Sequence, residues 1–566
     1  MNTLLVSVVV LVWFYLGYRY YGGYIEKWIV KPDDSQPTPA HQLNDGVDYV
    51  PSKKRLLWGN HFASIAGAGP IIGPILAVSI FGWGYTLLWV ALGAVFLGAV
   101  HDYLALMFSA RNGGRGLAEL AESVLGNTTR YVAAILIYLM LLLLVTAFMV
   151  SVAQSLISVP ALVIPTFGLV GAAVLMGLAV YRFGVNDLLA IVIGVVLAYV
   201  LIYVGYRYPV SLPAAWGEGT IMAVWLLILS LYCLLASVAP IWILLQPRDV
   251  LSSVKLVVGM ILGFLAIIII HPQINAPFST GGFISQGKPI WPILFITVAC
   301  GAISGFHSLV SAGTTSRQLA KESDGKPIAF GGMIMEGAVA LLVIMIVSGG
   351  LKWGLAPKGA SIDVARLYFG DALAKSWIIA FGNGFGHLVG SIGIPYLTMP
   401  LAALLGAVMV KSFILTTLDT GTRLARFLVT DTLASRAPVF KNRVLSSLVI
   451  LVPAYILAVT NSYKEIWKMF GTANQLIAGI ALITATVLLA RAKKPRLVAL
   501  IPAILMLITT MAALAWEMFS PTTGYFTSAK PNPSLGVISV VLVILSLAVV
   551  IQGVRSLARS RLKTSP

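Results

Sequence analysis

The sequence predicts an all-α polytopic membrane protein with about 15 transmembrane helices. Of its 566 residues, 59% are hydrophobic and only 10% are charged, too few charges to cover the surface of a soluble domain. The apolar residues fall in blocks of roughly 18–25, the length at which a helix crosses the hydrocarbon core. The roughly ten-residue alternation typical of a membrane barrel is not found. Helices are therefore the expected spanning element, because backbone N–H and C=O groups need internal partners in lipid.

The apolar blocks give the expected spans, with boundaries that are soft by several residues. The earlier spans lie near residues 3–18, 60–81, 84–109, 130–152, 159–180, 188–206, 219–245 and 253–271. The later spans lie near residues 291–314, 328–350, 394–418, 445–460, 471–490, 497–517 and 534–555. Residues 1–18 have no basic n-region and no small-residue cleavage site, which predicts a retained N-terminal helix outside the core.

Basic residues concentrate in alternate loops and predict the orientation. One side holds the 19–59 loop and the 556–566 tail, with basic clusters at 111–130, 317–326, 423–443 and 491–496. The opposite side is poor in basic residues and holds Arg207, Lys288, Lys530 and a few more in one long loop. By the positive-inside rule, the N-terminus lies outside and the C-terminus in the cytoplasm of a multi-pass inner (cytoplasmic) membrane protein. The net charge of +18 thus indicates topology rather than nucleic-acid binding.

Residues 371–393 are apolar enough to cross the membrane, but a crossing there would place the 423–443 basic cluster outside. The run from Gly382 to His387 is rich in glycine and should interrupt a helix. We therefore expect 371–393 to be re-entrant or to lie on the membrane surface.

Two spans share an interruption 170 residues apart. Residues 66–71 read Ala-Gly-Ala-Gly-Pro-Ile and residues 236–241 read Ala-Ser-Val-Ala-Pro-Ile. Proline removes a helix hydrogen bond, and the freed carbonyls and half-helix N-termini suit a cation and a carboxylate. A simple proline kink is the alternative, but two matched breaks five spans apart favour a midplane substrate site. The assigned substrate-binding residues are Gly67, Ala68, Gly69, Pro70, Ser237, Val238, Ala239 and Pro240.

This offset predicts an inverted five-plus-five repeat core with two broken helices. The first five-helix repeat covers 60–206 and the second covers 219–418, which includes the 371–393 segment. A four-helix extension follows at 445–555, before the tail.

Several motifs resemble one known family. They are Arg19-Tyr20-Tyr21-Gly22-Gly23, the run from Asp33 to His41, the run from Asn44 to Pro51, and the run from Gly59 to Pro74. His101-Asp102, Ser304 to Ser308, Ser311 to Thr315 and Phe470 to Gln475 follow the same pattern. Together they resemble the carbon starvation protein A family, over most of the chain. The resemblance implies a starvation-induced carrier of pyruvate or short peptides, with the fold of the amino acid–polyamine–organocation superfamily.

That fold implies a sodium site between the first broken helix and the eighth core helix, here expected at 291–314. Ser308, Ser311, Thr314 and Thr315 would supply hydroxyl groups, unless they only bond carbonyls of their own helix. His307 is an ionisable residue inside an apolar span and a candidate carrier of the coupling proton. A neutral, structural His307 is the alternative.

Five further residues are candidates for a gate or for the mouth of the site: His61, His101, Asp102, Asp419 and Arg423. An orienting contact is expected between His101 and Asp102, and a helix-end ion pair between Asp419 and Arg423. The 33–50 loop, rich in turn-forming residues, is expected to form a cytoplasmic cap near the inner mouth.

Motifs for other functions are missing from the sequence. Neither a GxxxxGK[ST] phosphate loop nor GxSxG, HExxH or HxxxH occurs, which argues against an enzyme, an ATP-driven pump and a metal site. We expect a secondary transporter without a cofactor that imports a small carboxylate, with pyruvate preferred, by coupling to H⁺ or, as the alternative, Na⁺. The other open possibilities are a short-peptide importer of the same family and a substrate-sensing membrane protein. The sequence leaves the oligomeric state open.

Overall fold

Each long apolar segment forms a helix in the computed structural model, which describes residues 1–460, 463–529 and 531–562. Helices satisfy every backbone hydrogen-bonding group within one segment, as hydrocarbon requires. The predicted class, an all-α polytopic membrane protein, is confirmed. The predicted outer Lys530 and the tail residue Lys563 lie outside the described residues.

The helices are numbered here in chain order. The first half contains α1 (Thr3–Val30), α2 (Pro39–Gln42), α3 (Lys54–Ile65), α4 (Gly69–Phe81), α5 (Trp83–Arg111), α6 (Leu117–Leu125), α7 (Asn127–Ser158), α8 (Pro160–Tyr181), α9 (Asp187–Arg207), α10 (Glu218–Val238) and α11 (Leu245–Ile270). A strand pair follows, β1 (Ile284–Ser285) antiparallel to β2 (Lys288–Pro289). The second half contains α12 (Ile290–Thr297), α13 (Gly305–Val310), α14 (Glu322–Gly349), α15 (Ile362–Ala365), α16 (Phe369–Lys375), α17 (Trp377–Gly390), α18 (Met399–Leu433), α19 (Arg443–Thr460), α20 (Tyr463–Arg491), α21 (Leu497–Phe519) and α22 (Pro533–Leu562).

The centre of the bundle is formed by α3–α4, α14 and α20, whose most apolar windows are 83%, 83% and 89% buried. By contrast, α1 and α9 are only 28% buried in the same windows and present apolar faces outward. An apolar helix face that the protein leaves uncovered suits contact with lipid. The peripheral position of α1 agrees with its prediction as a helix outside the core.

Among the described residues, 14 helices are long and apolar enough to cross a membrane, with α3 and α4 counted together. They match the expected spans except the one at 291–314, where the prediction of a continuous helix is wrong. That segment consists of α12 and α13, separated by an unwound stretch at 298–304, and a π-helical turn (Ser311–Thr315) extends α13. Glycines at 301 and 305 weaken a helix here. We call residues 298–304 the second break.

The first break lies where the sequence predicts it. Helix α3 ends at Ile65, α4 begins at Gly69, and residues 66–68 between them are not helical. Pro70 occupies the first turn of α4, where its missing N–H leaves no hydrogen bond unmade. Residues 66–68 are the first break from here on.

The predicted partner of the first break is corrected by the structure. Ala239 adopts an extended conformation before Pro240, so α10 ends at Val238 and a turn connects it to α11. The second break is the stretch that contacts the first. A Cβ on Gly69 would lie 2.3 Å from Cys300 Sγ, and a Cβ on Gly301 would lie 3.7 Å from Pro70 Cα. The division into repeats at 60–206 and 219–418 stays a prediction.

The glycine-rich run at 382–387 does not interrupt a helix, contrary to expectation. It lies within α17, a helix of 14 residues that packs on α18. A Cβ on Gly386 would lie 2.7 Å from both Ala403 Cβ and Met399 O, so glycine here permits a close approach between the two helices. With 14 residues, α17 is shorter than the roughly 20 that cross a bilayer. That the 371–393 segment does not cross stays a prediction.

Candidate functional site

A cavity of about 960 Å³ lies at the end of the bundle where α4 ends and α12 begins. Ile72 and Leu76 of α4 and Ile296 of α12 form part of its apolar wall, together with the tryptophans of α17, α20 and α21. Apolar walls with a few polar groups are typical of small-molecule sites. The cavity is therefore lined by the helices that adjoin the two breaks, α4 and α12.

The charged groups of the cavity wall are mainly positive. Lys288, Lys375 and Lys468 line it, with the single carboxylate of Glu517 on α21. Glu517 is buried, and the Thr472 hydroxyl lies 3.1 Å from each of its two oxygens. Three ammonium groups against one carboxylate favour an anion, by simple charge attraction. None of these four residues was predicted as a site residue from the sequence, where Lys288 served only to indicate topology.

The second break is held by Asn474 of α20. Its Oδ1 accepts a 2.8 Å hydrogen bond from the Phe306 backbone N–H at the start of α13, and its Nδ2 lies 3.0 Å from Ser304 Oγ. An unwound segment leaves backbone donors without helical partners, and a buried one needs a substitute. Asn474 is that substitute. Sequence reasoning used it only as part of a motif, although a polar side chain inside an apolar span is itself a signal of function.

The first break is held by hydroxyl groups of α18. Thr416 Oγ1 donates to Ala63 O at 2.8 Å, and Thr417 Oγ1 donates to Ser64 O at 3.1 Å. A Cβ on Gly67 would lie 2.5 Å from Thr417 Oγ1. The sequence placed the corresponding hydroxyls on the 291–314 segment, so the structure assigns this contact to a different helix.

The predicted hydroxyl cluster on the 291–314 segment is divided among different partners. Ser308 donates to Gly305 O and Thr314 donates to Val310 O, which are bonds within their own segment. Thr315 Oγ1 lies 2.8 Å from His61 Nδ1. Ser311 Oγ is buried and has no hydrogen-bond partner among the described residues. The four hydroxyls therefore do not converge on one point.

His307 lies between two carboxylates inside the bundle. Its Nδ1 is 3.0 Å from Asp102 Oδ2, and its Nε2 is 3.2 Å from Glu336 Oε2. The second contact has an ion-pair distance but not the angles of a hydrogen bond, since both Glu336 oxygens are without hydrogen-bond partners in the described structure. The expected contact of His101 Nδ1 with Asp102 Oδ1 is present at 2.7 Å. All four side chains are buried, which makes this a closely packed cluster of titratable groups.

The predicted ion pair between Asp419 and Arg423 does not form. Asp419 binds Arg248 of α11, with Arg248 Nη2 donating to Asp419 Oδ1 at 3.0 Å, and also accepts a 2.6 Å bond from the Tyr232 hydroxyl. Arg248 Nη2 also donates to Asp249 Oδ1 at 2.5 Å. An arginine has five donors in a fixed fork and can serve two carboxylates together, here those of Asp419 and Asp249.

Arg423 instead binds the 33–50 loop, at the end of the bundle opposite the cavity. Its Nη2 donates to Asp48 Oδ1 at 2.5 Å, and its Nη1 donates to Ala239 O at 2.9 Å. Arg426 Nη2 lies 3.4 Å from the same carboxylate oxygen. Burial acts to raise the pKa of Asp48, but the two guanidinium groups outweigh it and hold that pKa below its usual range. This pattern fits the expected cap.

The predicted site residues at 237–240 lie away from the place where the two breaks contact each other. Ser237 Oγ is 2.5 Å from Ser447 Oγ of α19, and Val238 is the last residue of α10. Pro240 begins the turn that leads to α11. Ala68, in contrast, lies at the first break, and its carbonyl accepts a 2.8 Å bond from Ile72 N.

The family description "Carbon starvation protein CstA" matches residues 2–356 and 371–513. The chain belongs to this family. The matched ranges include both breaks, the His307 cluster and the 33–50 loop. The resemblance found in the sequence motifs is confirmed.

Two kinds of transporter in the CstA family are similar to this chain. The peptide transporter CstA of Escherichia coli (strain K12) is 33% identical over 553 residues, which cover 88% of this chain and 78% of the relative. The peptide transporter CstA of Bacillus subtilis (strain 168) is 32% identical, covering 85% of each chain. The pyruvate/proton symporter BtsT of Escherichia coli (strain K12) is 30% identical over 556 residues, which cover 85% of this chain and 77% of the relative. The chain is therefore a multi-pass membrane transporter and not an enzyme.

Among solved structures, the Eremococcus coleocola manganese transporter aligns with a TM-score of 0.48 and 14% identity, covering 92% of this chain and 99% of that one. The alignment is too weak to assign the arrangement of the helices. No group of three or more His, Cys, Asp or Glu side chains placed to hold a metal ion occurs in the described part of this chain.

Proposed function

We propose that this CstA-family transporter imports a small carboxylate-bearing nutrient, with pyruvate preferred, by proton symport. The observation that carries the proposal is the lysine-lined cavity that leads to the two broken helices. A carboxylate is attracted by Lys288, Lys375 and Lys468 and reaches a place where backbone groups are free of helical hydrogen bonds. Pyruvate meets both requirements with one negative charge.

The proton is assigned to the His307 cluster. His307 lies between the carboxylates of Asp102 and Glu336, deep in the bundle, where an uncompensated charge is costly. A proton bound there enters together with the anionic substrate, and the pair crosses without net charge. This removes a cost of about 2.3 kcal/mol per charge per 100 mV of membrane potential.

Alternating access requires one end of the site to be closed while the other is open. The cavity lies at one end, and the 33–50 loop binds α18 at the other through Asp48 and Arg423. With the predicted orientation, the cavity faces outward and the loop faces the cytoplasm. The described conformation then corresponds to a state that receives substrate from outside.

A short peptide is the second candidate substrate, favoured by two observations. A cavity of about 960 Å³ is much larger than pyruvate needs. Glu517 also offers a carboxylate for the ammonium group of a zwitterion, in the same cavity as the lysines that would bind its carboxylate. Two of the similar proteins named above are peptide transporters, and one is a pyruvate/proton symporter.

The test is uptake into proteoliposomes of purified protein, with radiolabelled pyruvate or dialanine and a proton or sodium gradient imposed separately. We expect saturable pyruvate accumulation driven by an inward proton gradient and unaffected by removing sodium. Uptake of dialanine but not pyruvate would give the peptide assignment. Accumulation that needs sodium and persists without the proton gradient would contradict proton coupling. Binding without any flux would indicate a sensor.

A further inference from the structure

Helix α18 connects the first break to the closed end of the bundle along one face. Thr416 bonds the carbonyl of Ala63 in the last turn before the first break, and Thr420, Arg423 and Phe427 follow at spacings of four, three and four residues. Residues three and four apart lie on the same face of a helix. At about 1.5 Å per residue, Arg423 is roughly 10 Å from Thr416 along the axis. A substrate that leaves the first break toward the closed end passes this face.

Two arginines on α18 share a single carboxylate at this end. Arg423 and Arg426 both point to Asp48, with the shortest contact at 2.5 Å. The two guanidinium groups lie 5.8 and 4.5 Å from the Phe427 ring centroid, and that of Arg317 lies 4.5 Å from the same ring. Stacking on an aromatic ring holds guanidinium groups in a fixed position. The arrangement is a preformed anion site.

The site has more capacity than Asp48 uses. Arg423 and Arg426 are only 1% and 4% exposed, and the Nε atom of each is buried without a hydrogen-bond partner among the described residues. Two positive charges therefore face one carboxylate. Buried, under-satisfied guanidinium groups bind an incoming carboxylate strongly, because charge-assisted bidentate contacts are among the strongest hydrogen bonds in proteins.

The position of Asp48 shows how the site becomes available. Asp48 belongs to a loop rather than to a spanning helix, and the loop's neighbouring contacts are hydrogen bonds such as Ile241 N to Val47 O at 3.4 Å. Loops move more readily than packed helices. When the loop leaves, both arginines lose their carboxylate at the same moment, and removing one partner of a buried pair is costly unless another replaces it.

We propose that Arg423 and Arg426 form a second carboxylate-binding site on the exit path, which Asp48 occupies in this conformation and the substrate carboxylate occupies after the loop leaves. The site receives the substrate from the first break and compensates the charge that the departing loop exposes. This inference rests on the proposed function, since it requires a substrate with a carboxylate. The ligand class is a small monocarboxylate.

The experiment uses purified full-length Asp48→Ala and measures its Tm in formate, acetate and chloride at matched ionic strength. Formate should raise the Tm saturably for Asp48→Ala, with chloride without effect and the wild type responding much less, because the Asp48 carboxylate already occupies most of the wild-type site. Adding Arg426→Gln should weaken the formate effect by about tenfold or more, as expected for a lost charge-assisted hydrogen bond. Glu122→Ala, which removes the carboxylate facing Arg130 at 3.3 Å, is the matched control and should not respond.

Asp48→Asn, which preserves size but not charge, is measured in parallel in case Asp48→Ala does not fold. The proposal is overturned if neither variant responds to formate or acetate, or if Arg426→Gln leaves the response unchanged. Pyruvate should compete with formate at the site. A formate response in a protein whose wild type takes up no carboxylate would overturn the proposed function instead, so the two failures are distinguishable.

Discussion

At the scale of single residues, the sequence identified His307 but not the groups that give it a role. His307 and Asp102 were both candidates, and the structure places them 3.0 Å apart. Glu336 was missed, although it lies 29 residues beyond His307 in an apolar span, where an ionisable side chain is a signal by itself. Contacts between residues on different spans depend on tertiary packing, so local sequence patterns do not reveal them. The Asp419–Arg423 prediction failed for the same reason.

Glu336→Gln tests whether the cluster carries the proton. The substitution preserves shape but removes the titratable carboxyl group opposite His307 Nε2, which lies 3.2 Å away. We expect both Glu336→Gln and His307→Ala to retain substrate exchange, while gradient-driven accumulation falls to the equilibrium level. Thr486→Ala is the control, since this buried hydroxyl bonds only Leu482 O of its own helix. Full accumulation by Glu336→Gln would exclude Glu336 from coupling.

The Asp48 contact should resist acidification. Arg423, Arg426 and Arg317 hold the pKa of Asp48 below that of an unperturbed Asp, about 3.9. A depressed folded-state pKa stabilises the contact at and above this value, and the stabilisation is lost only as pH falls through the folded-state pKa. Hydrogen-exchange protection factors for residues 45–52 should therefore stay constant from about pH 8 to about pH 5. A progressive loss of protection within that interval would contradict the assignment.

At the scale of helices, one break was predictable and the other was not. Gly67, Gly69 and Pro70 mark the first break by residue type alone, and the structure places it there. The second break, 298–304, has no proline, and Asn474 from a distant helix binds Ser304 at its end and the first turn of α13 after it. Pro240, which resembles Pro70 in local sequence, ends a helix instead. Local sequence reports where a helix is weak, whereas the surrounding helices decide which weak point unwinds.

The contact between the breaks predicts a pair of compensating substitutions. A Cβ on Gly69 would lie 2.2 Å from Cys300 Cβ and 3.6 Å from Cys300 Cα, so only the cysteine side chain obstructs it. Gly69→Ala should lower stability by about 1–3 kcal/mol and impair transport, as overpacking does. Adding Cys300→Gly to this variant should restore most of the lost stability and most of the lost transport.

Gly171→Ala is the control, because a Cβ there meets nothing within 4 Å. Thermal unfolding and proteoliposome uptake are measured for the wild type, Gly69→Ala, the double variant with Cys300→Gly, and Gly171→Ala. If Cys300→Gly fails to rescue Gly69→Ala, the two breaks do not meet as described. Gly69→Leu is expected to abolish transport outright. Ala239→Leu tests the α10–α11 turn instead, since Ala239 O accepts from Arg423 there.

At the scale of the whole molecule, the bundle has two different ends. The cavity with its lysines occupies one end, and the 33–50 loop, with Asp48 bound to Arg423 and Arg426, occupies the other. Composition and the distribution of basic residues predicted the class and a direction for the chain in the membrane. They could not predict which end is open, because that depends on side-chain contacts across the bundle.

Cysteine labelling tests the direction. Arg115→Cys and Ser435→Cys lie at the loop end and should react with a membrane-impermeant reagent only from the cytoplasm. Ser528→Cys, at the cavity end, should react only from outside. The native Cys233 and Cys300 are buried and contribute little background at rest. Reaction of Ser435→Cys from outside would mean that residues 371–393 cross the membrane.

The contact of Gly69 with Cys300 also makes the accessibility of the Cys300 thiol a measure of whether the two breaks are in contact. The Cys300 thiol is buried against Gly69 at the start of α4. If the two breaks separate when the site changes from outward-facing to inward-facing, the thiol becomes exposed once in each transport cycle. In a Cys233→Ala background, the alkylation rate of Cys300 would report how often the two breaks separate, without any introduced probe. Alkylation that is slow without substrate and faster during uptake would link separation of the two breaks to the transport cycle.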